Sequence, residues 1–233
     1  MMELDLSHDS IKKAIHRSQK CQRNWDLSKT IPQEDLDIIA EAATQCPSKQ
    51  NISYYRVQFI TNRDRIEQVY RLTEGAVKDP ESRNTGAYPP NGKSYTNPQT
   101  LANLLIVYEA KTFEEINNGE HGPPRNKETY NKSQGIWDED VRHSLERDRR
   151  IAIGISAGYV NLVSNLLGYA TGFCQCVNDK EAMRELLCTR TSPALLMGVG
   201  FKNPELNRRI HHADHSVRFG KHKKQPVEIL WVK

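Results

Sequence analysis

Residues 151–168 constrain this chain more than any other stretch. Ile151, Ile155, Tyr159, Leu162, Val163 and Leu166 recur at helical spacing, while Ala152, Gly154, Ala157 and Gly158 make a second face of small side chains. A helix that is apolar or small nearly all round has to be buried, because no face of it is well solvated. The small face lets another helix approach closely, and a partner subunit is a natural candidate for that helix.

The other periodic segments supply what packs around it. Residues 54–60 are aromatic and β-branched and are followed by Thr61-Asn62-Arg63-Asp64, which predicts a strand, a turn and then a helix from 64 to about 74. Residues 101–108 form a continuous apolar run of strand length, the pattern of a central strand. Core strand character also marks 194–200, and 227–232 alternates as a C-terminal strand. A surface helix is predicted over 10–20, with Ile11, Ala14 and Ile15 inward. A second is predicted after Thr30-Ile31-Pro32-Gln33, a capping pattern with an early proline, running through Leu36, Ile39, Ala40 and Ala43 and ending at Pro47. Breakers make loops of 78–98 and of a polar excursion over 111–135. Strands interleaved with helices mean α/β or α+β.

One domain spanning 1–233 accommodates these elements. Mean hydropathy is low at −0.72, but apolar residues concentrate in a few segments, as in a compact core with polar excursions. The net charge of +4, from 33 basic against 29 acidic residues, is too mild and too mixed for nucleic acid and better suits anionic small molecules. There is no 18-residue apolar run, and the first residues lack a signal-peptide layout, so a soluble, cytoplasmic protein without membrane attachment is expected. The five cysteines are odd in number and irregular in spacing, which predicts free thiols.

Chemistry concentrates around Cys46-Pro47-Ser48-Lys49-Gln50-Asn51, a polar turn closing the second helix. Basic clusters flank it from both ends of the chain: Arg17, Lys20 and Arg23 upstream, and Arg218, Lys221, Lys223 and Lys224 downstream. A phosphorylated planar cofactor needs such a set, because a phosphate is anchored by charge-assisted contacts from Arg or Lys. Other signals carry less. Cys174-x-Cys176 is too closely spaced for zinc and reads as buried thiols, and His211-His212-x-x-His215 lacks an acidic third ligand, so no metal is expected. No nucleophile elbow, dinucleotide fingerprint or phosphate-binding glycine loop occurs, so nicotinamide would bind only transiently.

Four segments in order resemble the FMN-dependent nitroreductase family: Gln22-Arg23-Asn24-Trp25-Asp26, Ile31-Pro32-Gln33-Glu34-Asp35-Leu36, Pro47-Ser48-Lys49-Gln50-Asn51, and residues 157–172 closing on Leu167-Gly168-Tyr169-Ala170-Thr171-Gly172. The resemblance spans nearly the whole chain. It implies an α+β, three-layer sandwich with a mixed, mostly antiparallel sheet flanked by helices, in an extensively intertwined homodimer holding one FMN in each of two interface clefts. It also implies reduction of nitro compounds, quinones or related electrophiles with NADH or NADPH, by ping-pong hydride transfer through flavin N5. No side chain need act as a catalytic residue, because the flavin carries the chemistry.

The same resemblance distributes roles. Arg23 falls where a cation reaches the ring and would stabilise the anionic reduced flavin. The family's Arg ahead of Ser falls on Gln19 by ungapped spacing from Trp25, so the phosphate ligand stays open among Arg17, Lys20 and Arg23, with Arg218, Lys221 and Lys223 as candidates at the other end. Pro47, Ser48, Lys49 and Asn51 would face the ring and ribityl chain, and Asn97 and Gln99 the pyrimidine edge. Gly172, Phe173, Cys174 and Gln175 would run backbone past N5. Residues 111–137 would form a lid that sets acceptor choice. Two other readings share these residues: a specialised flavin enzyme of reductive dehalogenase or flavin-cleaving type, and a non-catalytic basic module that holds a polyanion.

Overall fold

In the computed structural model, the residues described are 7–76, 94–112, 115–116, 138–212, 215, 219 and 224–232. A four-stranded antiparallel sheet is assembled from β1 (Tyr55–Ile60), β4 (Leu104–Ala110), β5 (Ala170–Cys174) and β6 (Leu195–Gly200), in the order β1-β4-β6-β5. A separate short pair joins β2 (Gly75–Ala76) to β3 (Ser94–Tyr95). The helices are α1 (His8–Ser18), α2 (Gln33–Thr44), α3 (Arg63–Arg71), α4 (Asp138–Leu166) and α5 (Lys180–Leu187).

The run at 101–108 becomes the centre of the sheet because β4 pairs on both sides, with β1 and β6, and is covered on both faces. Leu104, Ile106 and Tyr108 meet Ile39 and Ala43 of α2 and Ile153, Ala157 and Val160 of α4. Leu105 and Val107 point the other way, toward Ile66 and Val69 of α3, Met183 and Leu187 of α5, and Trp25. Each such fully buried aliphatic side chain contributes about 1.5–3 kcal/mol, so this strand holds helix, sheet and helix together as three layers. The strand starts later than the apolar run does: a 3₁₀ turn, Pro98–Thr100, comes first and 101–103 lead out of it.

Four expectations change. Pro32, not Thr30, is the N-cap of α2 and makes no side-chain cap bond; Gln33 Nε2 instead donates to Asp37 Oδ1 at 2.7 Å. The strand expected at 227–232 is not formed: 224–232 enter no ladder with the described sheet, and Trp231 and Val232 are 86% and 95% exposed. In α4 the buried side is the one carrying Ala152, Ile153, Ser156, Ala157, Val160 and Ser164, while Ile151, Tyr159 and Leu162 stay exposed on a single chain. Cys174 is buried but Cys176 is not, and all five thiols are free. The lid expected at about 111–137 lies outside the described residues except for 111–112 and 115–116. Among the described residues no helix is long and apolar enough to cross a membrane.

Candidate functional site

The N-terminal segment adds itself to the free edge of β5. Gln22 N–H donates to Thr171 O at 2.7 Å beside a parallel bridge between Cys21 and Thr171, the one parallel contact of the described sheet. Trp25 then pairs antiparallel with Lys202, just beyond β6. Two side chains of this segment, Asn24 and Trp25, fix neighbouring loops, and Gln22 holds the segment's own backbone. Trp25 Nε1 donates to Pro98 O at 2.8 Å, which seats the 3₁₀ turn. Asn24 Nδ2 donates to Asn207 O at 2.6 Å and Ile210 O at 2.7 Å, and Gln22 Oε1 accepts from Arg23 N–H at 2.9 Å. Gln22 and Asn24 are buried, and of the Asn24 amide the Nδ2 is bonded twice while Oδ1 has no partner among the described residues. The sequence reading selected Arg23 from this motif and passed over both neighbours, although polar residues flanking an aromatic anchor were the available signal.

Two glycines let these segments lie against the sheet. A Cβ on Gly172 would stand 2.6 Å from Gln22 O and 3.1 Å from Gln99 Cβ. On Gly198, its cross-strand partner, a Cβ would stand 2.1 Å from Gln99 O. The close approach expected at Gly172 is therefore used by the chain itself, to bring Gln22 and Gln99 together. Asn97 Nδ2 donates to Glu74 O at 2.9 Å, which holds the start of the turn. Gln99 is buried, and its Oε1 has no partner among the described residues.

Arg23 beside this turn is half-buried, with Cζ 4.3 Å above the Phe219 ring, and its Nε likewise finds no partner among the described residues. Burial lowers its pKa; Cys21 opposes that shift and Arg208 adds to it. A desolvated guanidinium of this kind gains from any anion that reaches it.

Arg17 and Lys20 belong to a neighbouring cavity of about 480 Å³, where Lys202 and Arg208 join them and Glu205 is the acid in the lining. Arg17 Nη2 donates to Asn165 O at 2.7 Å, and Arg208 Nη1 to Cys21 O at 3.4 Å. Gln22 lines the same cavity, so it lies next to the Gln99 turn, whereas Arg23 is outside its lining. Sequence reasoning missed Lys202 and Arg208. They flank a loop after β6, and only the fold brings them beside α1.

The remaining candidates that fall among the described residues do not join this group within one chain. The 47–51 turn continues α2, on the sheet face opposite Gly172. Its Lys49 Nζ pairs with Asp148 Oδ2 at 2.7 Å, and Ser48 Oγ donates to Ile52 O at 2.8 Å. Gln50 and Asn51 have φ of 56° and 57°, a left-handed conformation that costs non-glycine residues about 1–2 kcal/mol each. Pro47, Lys49 and Asn51 are exposed. Phe173 faces the α2–α4 layer, and burial pushes the Cys174 thiol up to about 12. Gln175 Nε2 donates to Ala194 O at 3.2 Å. Arg218, Lys221 and Lys223 lie outside the described residues; Lys224 is exposed. His211 is buried with Nε2 2.9 Å from Thr96 O, and among the described residues no cluster of three or more metal-ligating side chains exists.

Solved structures share this architecture at low sequence identity. A nitroreductase-type protein of Exiguobacterium sibiricum, solved in complex with FMN, is 17% identical over 89% of this chain and 95% of its own, with a TM-score of 0.55. A protein of Staphylococcus epidermidis described as an NAD(P)H:FMN oxidoreductase candidate is 16% identical over 99% and 100%, with a TM-score of 0.58. The NfrA1 nitroreductase of B. subtilis is 11% identical over 85% and 71%, with a TM-score of 0.57. No curated protein matches this chain. The model of the nitroreductase family matches residues 17–201, from the first cation of the cavity to the end of the sheet, and the chain belongs to the nitroreductase family.

Proposed function

We propose that this chain is a single-domain FMN-dependent oxidoreductase that takes reducing equivalents from NADH or NADPH and delivers them to nitro compounds, quinones or related electrophiles. One observation carries the reading: an amide acceptor, Gln99 Oε1, and a guanidinium donor, Arg23 Nε, are buried without partners among the described residues, next to Gln22, which lines a cavity together with Arg17, Lys20, Lys202 and Arg208. A heterocycle with a hydrogen-bonding edge and a phosphate tail fits such a donor set.

Bound FMN would supply hydride acceptance and donation, chemistry that no side chain of this chain provides. The protein's part is then binding and charge. Arg17, Lys20, Lys202 and Arg208 take the phosphate. Gln99 addresses the ring's polar edge, and Arg23, already desolvated, favours the state of the cofactor that carries negative charge. The backbone from Gly172 to Gln175 forms the wall between the two.

The proposal includes a homodimer. On one chain Ile151 and Tyr159 of α4 are 53% and 46% exposed, and the 47–51 turn faces away from Gly172, so that turn can complete a site only on a second copy. The alternating, exposed 227–232 segment has the composition of a strand but joins none among the described residues, and a partner's sheet would supply an edge for it.

The absorption spectrum of the purified protein tests the reading. Bands of oxidised flavin, bleached anaerobically by NADH or NADPH, are expected. A colourless preparation that cannot be reconstituted with FMN would overturn it.

A further inference from the structure

A second cavity, of about 720 Å³, lies at the opposite end of the sheet from the one that holds Arg17. It is bounded by the end of β4, the approach to β6, α4 and the first residue of α5. Lys111, Arg149, Arg150 and Lys180 line it, with Glu146 as the acid in the lining. That carboxylate is shared: Arg150 Nε is 2.8 Å and Arg149 Nη1 3.7 Å from it. Arg149 is held in place, its side chain only 17% exposed, and its Nε is buried with no partner among the described residues. Lys111 is partly desolvated: burial and then the nearby Arg56 lower its pKa, with Glu115 opposing, and its Nζ donates to Ser53 Oγ at 3.1 Å. The contrast with the adjacent charges is instructive: Arg56 and Arg190 are matched to Glu109 and Glu115. Arg149 and Arg150 share one carboxylate while Lys111 and Lys180 add two further cations to the lining, a surplus that solvent or an anion has to compensate.

We infer that this cavity is a binding site for the phosphate groups of a small anionic ligand. Two guanidinium groups that flank Glu146 and line one cavity favour phosphate oxygens, which each can grip in pairs, and a group carrying two or more charges offsets the surplus that a single carboxylate would leave. Gln175, the residue after β5, lines the same cavity, which places the site one step beyond the strand assigned to the flavin. Resting on the oxidoreductase reading for its identity, the ligand is one of the two substrates: the dinucleotide, held by its pyrophosphate, or a phosphorylated acceptor.

Inorganic pyrophosphate is the probe. Calorimetric titration of the purified, flavin-loaded protein should show binding that weakens at least tenfold in Arg149→Gln and severalfold in Lys180→Gln. Lys180 opens a helix at the surface, so its variant stays informative if Arg149→Gln fails to fold. No binding to the wild type, or equal affinity in both variants, overturns the site, and this arm holds whether or not the protein turns over. In steady-state assays of Lys180→Gln, a raised KM for NADH or NADPH alone identifies the dinucleotide, and a raised KM for the acceptor alone identifies the acceptor. If neither KM moves, the assignment to a substrate is wrong.

Discussion

At the level of single residues, the site depends on what is missing from Gly198 and Gly172. The turn that carries Gln99 rests on these two positions, and at Gly198 the obstructing atom is a backbone oxygen that cannot rotate aside. Gly198→Ala should therefore lower stability by roughly 1–3 kcal/mol through overpacking, read as a shift of the urea midpoint, and weaken FMN binding with it. A variant of wild-type stability and flavin content would show that the turn is not seated as described. Gly172 was legible in the sequence as a position of close approach, but what approaches, Gln22 and Gln99, was not. Gly198 carried no local signal, because its neighbour across the strand and the turn above it come from distant parts of the chain. Arg23 was legible as a cation, whereas its burial against Phe219 follows from chain folding alone.

Among the elements, the entry to β6 is fixed by one buried carboxylate. Glu109, near the end of β4, accepts from the backbone N–H groups of Arg190 at 2.6 Å and Thr191 at 2.9 Å, and pairs with Arg56 of β1 at 3.3 Å. Three elements thus meet at a side chain that is 3% exposed. Glu109→Ala would strand those donors and should cost about 2–3 kcal/mol by urea denaturation. Glu109→Gln, which keeps an acceptor in place, should recover a large part of that loss; equal loss in both variants would mean that charge, not hydrogen bonding, is what matters. The apolar run containing β4 announced a central strand, since only a strand covered on both faces tolerates such a run. Glu109, just after the run and within β4, gave no sign of its partners, which arrive 81 and 82 residues later in the chain.

For the whole molecule, the informative surface is the outer side of α4. Ile151, Tyr159 and Leu162 lie exposed along it, and Gly154 and Gly158 have open space where a Cβ would be, so a second copy could approach closely there. Wild-type protein should run as a dimer in size-exclusion chromatography with light scattering. Tyr159→Arg, which puts charge into that face without touching the core, should shift it toward monomer and reduce bound FMN together. A monomeric wild type that binds FMN would refute the dimer. Local sequence determined the first three helices, the C-terminal half of α4, the central strand and the resemblance to the family that implied the α+β class, because helical and strand periodicities and short ordered motifs are properties of neighbouring residues; α5 (Lys180–Leu187) and the first half of α4 were not read from it. Tertiary structure alone decided that Lys202 and Arg208 join Arg17 and Lys20, that α4 buries Ala152, Ile153, Ser156, Ala157 and Val160 while Gly154 and Gly158 stay outside, and that 227–232 joins no strand of the described sheet. Each of these depends on which surfaces meet after the chain has folded, and pairings across more than a hundred residues leave no trace in local pattern.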